Sequence, residues 1–78
     1  MWVVYEEHEY FGTSIFAVKS TREEAVEDIT NRIKKFYVNE LYKFQKEILN
    51  SISINENSIT TKTGLKAIFV KDWKGSKQ

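Results

Sequence analysis

The strongest constraint on this chain is a long run of apolar residues at helical spacing. Apolar side chains recur every three or four residues from about Thr21 to Leu49, as on one face of an α-helix, and no proline or glycine interrupts them. A helix of this length would extend roughly 45 Å, about twice the length of the short strands predicted around it. That apolar stripe consists of Val26, Ile29, Ile33, Tyr37, Leu41, Phe44 and Ile48.

Two arrangements would bury the second half of the stripe. In one, the helix breaks at its weakest stretch, residues 36–39, where Asn39 caps a second helix that folds back. In the other, one long helix packs against a second copy or another protein. The sequence leaves both open. We predict a homodimer with an interface formed by Tyr37, Leu41, Phe44 and Ile48.

Short apolar segments on both sides of the helix predict two β-hairpins. Residues 2–9 and 15–19 form the first, with a turn over 10–14, and residues 59–62 and 65–73 form the second. Residues 52–54 are a brief extended segment. The resulting fold class is α+β: a small antiparallel sheet in ββαββ order packed on one long or broken helix.

Apolar residues on both faces of the last strand predict that it is a central strand or is covered on both sides. Four apolar residues also predict that the sheet face away from the helix is partly apolar. They are Trp2, Val4, Ile68 and Val70. An apolar outer face is a second argument for an oligomer or a bound partner.

The predicted start of the helix is a capping box. Ser20 and Glu23 have the required spacing, so that the Ser20 hydroxyl accepts from the Glu23 amide and the Glu23 carboxylate accepts from the Ser20 amide.

Length and composition favour a single cytoplasmic domain over residues 1–78, with 74–78 a disordered tail. The chain has no cysteine, which excludes disulfides and thiolate metal sites. No segment has the length and hydrophobicity of a membrane span, and the N-terminus does not resemble a signal peptide. We therefore expect no membrane association.

The only histidine, His8, lies within an acidic segment. Glu6 and His8 would share one face of a strand, where a carboxylate could orient the imidazole or help to bind a cation. We favour an exposed strand end instead. No nucleophile elbow, P-loop or dinucleotide motif is present. The sequence therefore predicts no enzyme, no catalytic residue, no cofactor and no metal site.

Charge is divided along the chain although its net value is only +1. Residues 1–30 are acidic and residues 31–78 are basic. The structural interpretation, which we favour, is internal neutralisation together with matching of charge to the helix dipole. A functional interpretation is that three acids near a strand end bind a basic partner, as a phosphate mimic does. These predicted partner-binding residues are Glu6, Glu7 and Glu9.

Nucleic-acid binding is the alternative. The helical segment 32–46 interleaves five bases with aromatic residues, so phosphates and nucleobases could both be contacted. Tyr37 and Phe44, however, belong to the apolar stripe, and near-neutral net charge argues against strong phosphate affinity. The bases are Arg32, Lys34, Lys35, Lys43 and Lys46.

A short hairpin, a helix opened by Lys19–Ala25, a small closing sheet and a lysine- and asparagine-rich composition resemble small uncharacterised proteins of phages and prophages of low-GC bacteria. The resemblance implies a protein that binds and blocks a host protein, including defence nucleases such as CRISPR effectors, in the host cytoplasm. Our leading hypothesis is therefore a non-enzymatic protein-binding module that inhibits or modulates a host enzyme.

Overall fold

Five antiparallel strands form one sheet in the order β2-β1-β5-β4-β3. The computed structural model describes residues 1–36 and 42–72. The fold class is α+β, as predicted, but with five strands because the short segment after the helices joins the sheet edge. The strands are β1 (Trp2–His8), β2 (Gly12–Lys19), β3 (Ser53–Ile54), β4 (Ser58–Thr60) and β5 (Leu65–Phe69).

Two helices, α1 (Arg22–Phe36) and α2 (Tyr42–Asn50), divide the apolar stripe. The Gln45 side-chain amide lies 3.4 Å from the Lys34 carbonyl oxygen, to which it donates. In a continuous helix these residues would be roughly 16 Å apart along the axis. The helices therefore pack side by side, and the broken arrangement is the one adopted.

Folding back places Ile48 in the core of the same chain. Its side chain is fully buried with those of Ile29 and Ile33. Ile48 therefore belongs to the core of its own chain, which corrects its predicted placement at a dimer interface. Phe44 is partly exposed. Tyr37, Leu41 and the predicted tail at 74–78 lie outside the described residues.

The core lies between α1, α2 and one face of the sheet. Burying such apolar surface is the dominant favourable term in folding. Its buried members are Trp2, Val4, Ala25, Ile29, Ile33, Ile48, Ile59, Leu65 and Ala67.

Strand β5 is a central strand, as predicted, between β1 and β4. Residues Trp2 and Val4 belong to the helix-facing core, which corrects their predicted placement on the outer face. The alternation of side chains along β1 places Val3 and Tyr5 on that outer face instead. Val3 pairs with Ile68 there.

The capping box is one residue later than predicted. The Thr21 hydroxyl accepts a hydrogen bond from the Glu24 amide at 3.1 Å. The Glu24 carboxylate accepts from the amides of Ser20 and Thr21, at 3.1 and 3.3 Å. Two overlapping four-residue segments fit the capping-box pattern, and the helix uses the second.

This geometry predicts different effects for two neighbouring substitutions. Thr21→Ala should lower the free energy of unfolding by about 1 kcal/mol, because it removes the side-chain cap. Ser20→Ala is the matched control and should change it by less than about 0.5 kcal/mol. Urea denaturation of both variants measures the difference. Equal losses would place the cap elsewhere.

Among the described residues, neither helix is long and apolar enough to cross a membrane.

Candidate functional site

The hairpin of β1 and β2 extends beyond the rest of the sheet. Strand β5 pairs with β1 only as far as Glu6. The next contact is a hydrogen bond from the Glu7 amide to the Gly64 carbonyl oxygen at 3.0 Å. A Cβ on Gly64 would lie 2.3 Å from the Glu7 carbonyl oxygen, so only glycine permits this approach. Beyond it, residues 8–12 form the free hairpin end, which we call the tip.

A three-residue loop closes the tip. His8 pairs with Gly12, which leaves residues 9–11 between them. Gly12 has a φ of 80°, in the left-handed region that glycine adopts without strain. Gly12 therefore lets the chain turn directly from the loop into β2. The predicted turn over 10–14 is therefore shorter in the structure, and β2 begins earlier.

Two adjacent aromatic side chains project from the tip. Tyr10 is 85% exposed and Phe11 is 84% exposed, the highest values among the large apolar side chains that the structure describes. Single apolar residues on a surface are common. Two neighbouring aromatic rings without cover on a projecting loop are unusual, because each leaves a large apolar area in water.

Phe11 is nevertheless held in place on one side. Its ring contacts the His8 imidazole edge to face, with centroids 6.1 Å apart. The His8 Nε2 atom lies 3.0 Å from a Glu6 carboxylate oxygen. Glu6, His8 and Phe11 therefore form a connected row that restricts the aromatic ring. Such restriction reduces the entropy lost on binding.

Glu6, at one end of this row, also lines a cleft of about 300 Å³ between α1 and the sheet. The Arg32 guanidinium lies 4.6 Å from the centre of the Phe16 ring. It also donates to the Asp28 carboxylate at 2.7 Å. The remaining lining is mainly apolar. The cleft is lined by Glu6, Phe16, Arg32, Ile33, Phe36, Thr63 and Leu65.

The tip and the cleft therefore form one continuous surface along the helix side of the first hairpin. Phe36, at the end of α1, adds a third aromatic ring that is 64% exposed. Aromatic residues and arginine are enriched at protein interfaces. We call this set the tip surface, and it consists of Glu6, His8, Tyr10, Phe11, Phe16, Arg32 and Phe36.

The three acids predicted to bind a partner do not form one patch. Glu6 lies on the helix side with His8. Glu7 lies on the outer face, where its carboxylate is 2.9 Å from Lys66 Nζ. This hydrogen bond, together with the negative charge of Glu7, raises the pKa of Lys66. Glu9 is exposed at the tip. A role for Glu6, Glu7 and Glu9 in binding stays a prediction.

The acid–histidine pair has few metal-binding partners nearby. Within residues 1–36 and 42–72, no group of three or more histidine, cysteine, aspartate or glutamate side chains is arranged to hold a metal ion. Through the edge-to-face contact of His8 with Phe11, this pair is in contact with the tip.

The bases of the helical segment separate into two environments. Arg32 is part of the cleft. The other four are exposed on the end of α1 and on α2, which folding back brings together. They are Lys34, Lys35, Lys43 and Lys46.

No family model matches the chain, and neither a characterised protein nor a solved structure is detectably similar to it.

The sequence did not single out Tyr10 and Phe11, because both were assigned to a turn over residues 10–14. The residue types at these two positions were nevertheless informative. Tight turns favour glycine, proline, asparagine, aspartate and serine, for conformational reasons that do not apply to tyrosine or phenylalanine.

Proposed function

We propose that this chain is a non-enzymatic protein-binding module that inserts its aromatic tip into an apolar pocket of another protein. The observation that carries the proposal is the exposure of Tyr10 and Phe11, at 85% and 84%. Aromatic side chains bury a large area on binding and lose little conformational entropy. They are also enriched among the few residues that dominate binding energy.

The charge of the tip supports a partner whose pocket has a basic rim. The tip, residues 8–12, includes the acid Glu9 and no lysine or arginine. Complementary charge would steer association and fix orientation. Glu6 and Glu7 flank the tip on opposite sides, so they would add to its negative potential at longer range.

The biological role that we propose rests on the resemblance to small phage proteins that the sequence suggested. On this proposal the partner is a host protein, the chain acts as an inhibitor or modulator of a host enzyme such as a defence nuclease, and binding occurs in the host cytoplasm. A hairpin that is paired to the sheet at its base and projects beyond it suits inhibition. Its loop can occupy a recessed site that a flat surface cannot reach.

Site-specific photo-cross-linking tests the proposal. A photoreactive phenylalanine analogue at Phe11 should link the chain to a partner protein when it is expressed in host cells. The same analogue at Ile54 is the control, since Ile54 is 51% exposed but lies on the far edge strand. Mass spectrometry identifies the linked protein. Linking from Ile54 but not Phe11 would exclude the tip as the binding element.

The exposed lysines favour nucleic-acid binding as a second candidate function. The two packed helices carry four exposed lysines and could follow a phosphate backbone. They are Lys34, Lys35, Lys43 and Lys46.

On this alternative, Lys34→Ala with Lys35→Ala should weaken binding to a labelled oligonucleotide about tenfold. It should also make the slope of log affinity against log salt concentration shallower by roughly 1.5–2. Fluorescence anisotropy at two salt concentrations measures both. Insensitivity to salt would exclude this function.

A further inference from the structure

The two edges of the sheet differ in how well they are protected. An edge strand presents unpaired N–H and C=O groups to which another strand can add. Strand β3, at one edge, is only two residues long. Strand β2, at the other edge, has eight residues, and within residues 1–36 and 42–72 it pairs only with β1. The long edge of this sheet is therefore the one that β2 forms.

The second half of β2 is protected by three features. Its pairing with β1 is irregular between Ile15 and Ala17, where Phe16 is the extra residue of a β-bulge. Such bulges interrupt an edge and twist it. The Arg32 guanidinium lies 3.5 Å from the Phe16 carbonyl oxygen, to which it donates. Lys19 ends the strand with a charge, which discourages strand addition.

The first half of β2, residues 12–15, has no comparable protection. All four residues are exposed. They include no charged residue and no proline. This segment is continuous with the tip, which ends at Gly12. We call residues 12–15 the open edge.

Hydrogen bonds elsewhere in the sheet show which groups of the open edge point outward. The N–H and C=O of one residue in an antiparallel strand point to the same side, and the side alternates between neighbours. The Glu7 amide donates to the carbonyl oxygen of Gly64, just before β5. Glu7 therefore turns away from β2, and its partner Thr13 turns away from β1. Ile15 pairs with Tyr5 and has the same direction as Thr13.

Thr13 and Ile15 thus direct two N–H and two C=O groups away from the sheet. In the described part of the chain, no other residue bonds to these groups. An extended backbone offers donors and acceptors at the matching spacing. Both residues are also β-branched, and Ile15 is 53% exposed. Such side chains pair well with those of a neighbouring strand.

We propose that an extended segment of the partner protein adds to the open edge as an antiparallel strand. Pairing with Thr13 and Ile15 would form about four main-chain hydrogen bonds. The inference rests on the proposed protein-binding function and deepens it, because a partner that holds the tip lies beside residues 12–15. It specifies the form of the partner's contact in addition to its pocket.

The side chains around the open edge define the chemistry of this segment. Its residues opposite Thr13 and Ile15 would lie on the outer face, where apolar or β-branched side chains fit best. The residue between them would lie on the helix side next to Ser14, which pairs with Glu6. Because Ser14 is small, a lysine or arginine at this position can extend over it towards the Glu6 carboxylate. The proposed segment is therefore apolar–basic–apolar.

A synthetic peptide tests strand addition separately from the tip. The probe is acetyl-Thr-Val-Lys-Val-Thr-amide, which has the proposed pattern. The matched control peptide has the same sequence with both valines N-methylated, so that they cannot donate the required hydrogen bonds. Nuclear magnetic resonance of the ¹⁵N-labelled chain measures the exchange of each amide with water. In the free chain, Thr13 and Ile15 should exchange faster than Ser14, whose amide points to β1.

The probe at about 5 mM should slow amide exchange at Thr13 and Ile15 at least about threefold, since we expect a dissociation constant on the order of 1 mM. The N-methylated peptide should leave both rates unchanged. Equal effects of the two peptides, or unchanged exchange with the probe, would overturn the inference.

This experiment separates the inference from the proposed function. The probe has no pocket for the tip, so its pairing does not depend on tip insertion. A probe that leaves exchange unchanged would overturn strand addition while leaving tip insertion intact. Failure of the cross-linking at Phe11 would overturn tip insertion without altering the peptide result.

Discussion

Ile48→Ala should lower the free energy of unfolding by about 2–5 kcal/mol, because it removes three carbons from a fully buried side chain and leaves a cavity. Small domains have a total stability of only about 5–15 kcal/mol, so much of the variant could unfold at body temperature. Urea denaturation with circular dichroism measures the loss.

Ile54→Ala is the matched control for this substitution. Ile54 is exposed, so the same change should cost less than about 1 kcal/mol. The loss at Ile48 should also be independent of protein concentration, because its neighbours Ile29 and Ile33 belong to the same chain. A loss that grows on dilution would instead support the original prediction of a dimer through the helix, since oligomer stability follows mass action.

The second large effect is expected at the tip. Phe11→Ser combined with Tyr10→Ser should weaken binding to the cross-linked partner at least about 30-fold, corresponding to a hot spot of about 2 kcal/mol. Folding should change little, because both rings are exposed and outside the core. Isothermal titration calorimetry measures affinity, and thermal denaturation checks the fold.

Ile54→Ser is the control for a general loss of apolar surface. It removes an exposed apolar side chain from the far edge of the sheet and should leave affinity unchanged. If the double tip variant binds within about threefold of the wild type, the tip aromatic residues do not anchor the partner.

Local patterns in the sequence predicted local structure well. Two hairpins, the turn at Gly64 and the central position of β5 follow from alternating apolar residues and turn chemistry. The helix start was predicted one residue early because Ser20 and Thr21 both begin a segment with glutamate at the capping-box spacing. Only the hydrogen bonds distinguish the two segments.

The remaining differences depend on contacts between distant parts of the chain. Helical periodicity is the same in one long helix and in two shorter ones, so the stripe could not decide between them. The burial of Ile48 in the same core as Ile29 decides it, since these two residues lie on different helices. Alternation shows which residues of a strand share a face, but it does not specify which face the helices cover. The position of Trp2 on the helix side could therefore not be predicted from alternation.

The candidate site was the least predictable part. The sequence indicated acids near a strand end, and the structure separates Glu6 from Glu7 on opposite faces. The exposure of Tyr10 and Phe11 arises because β5 stops pairing at Glu6 while the first hairpin continues. Strand lengths in neighbouring hairpins determine this projection, and strand ends are difficult to locate from sequence.

The most direct test of the proposed function is a nuclear magnetic resonance titration of the ¹⁵N-labelled chain with the unlabelled partner identified by cross-linking. We predict that the largest amide shifts or line broadening occur at the tip, residues 8–12, and at Phe16, Arg32 and Phe36 around the cleft. Changes confined to α2 and the exposed lysines, or to the outer face of the sheet, with the signals of residues 8–12 unaltered, would contradict the proposed function.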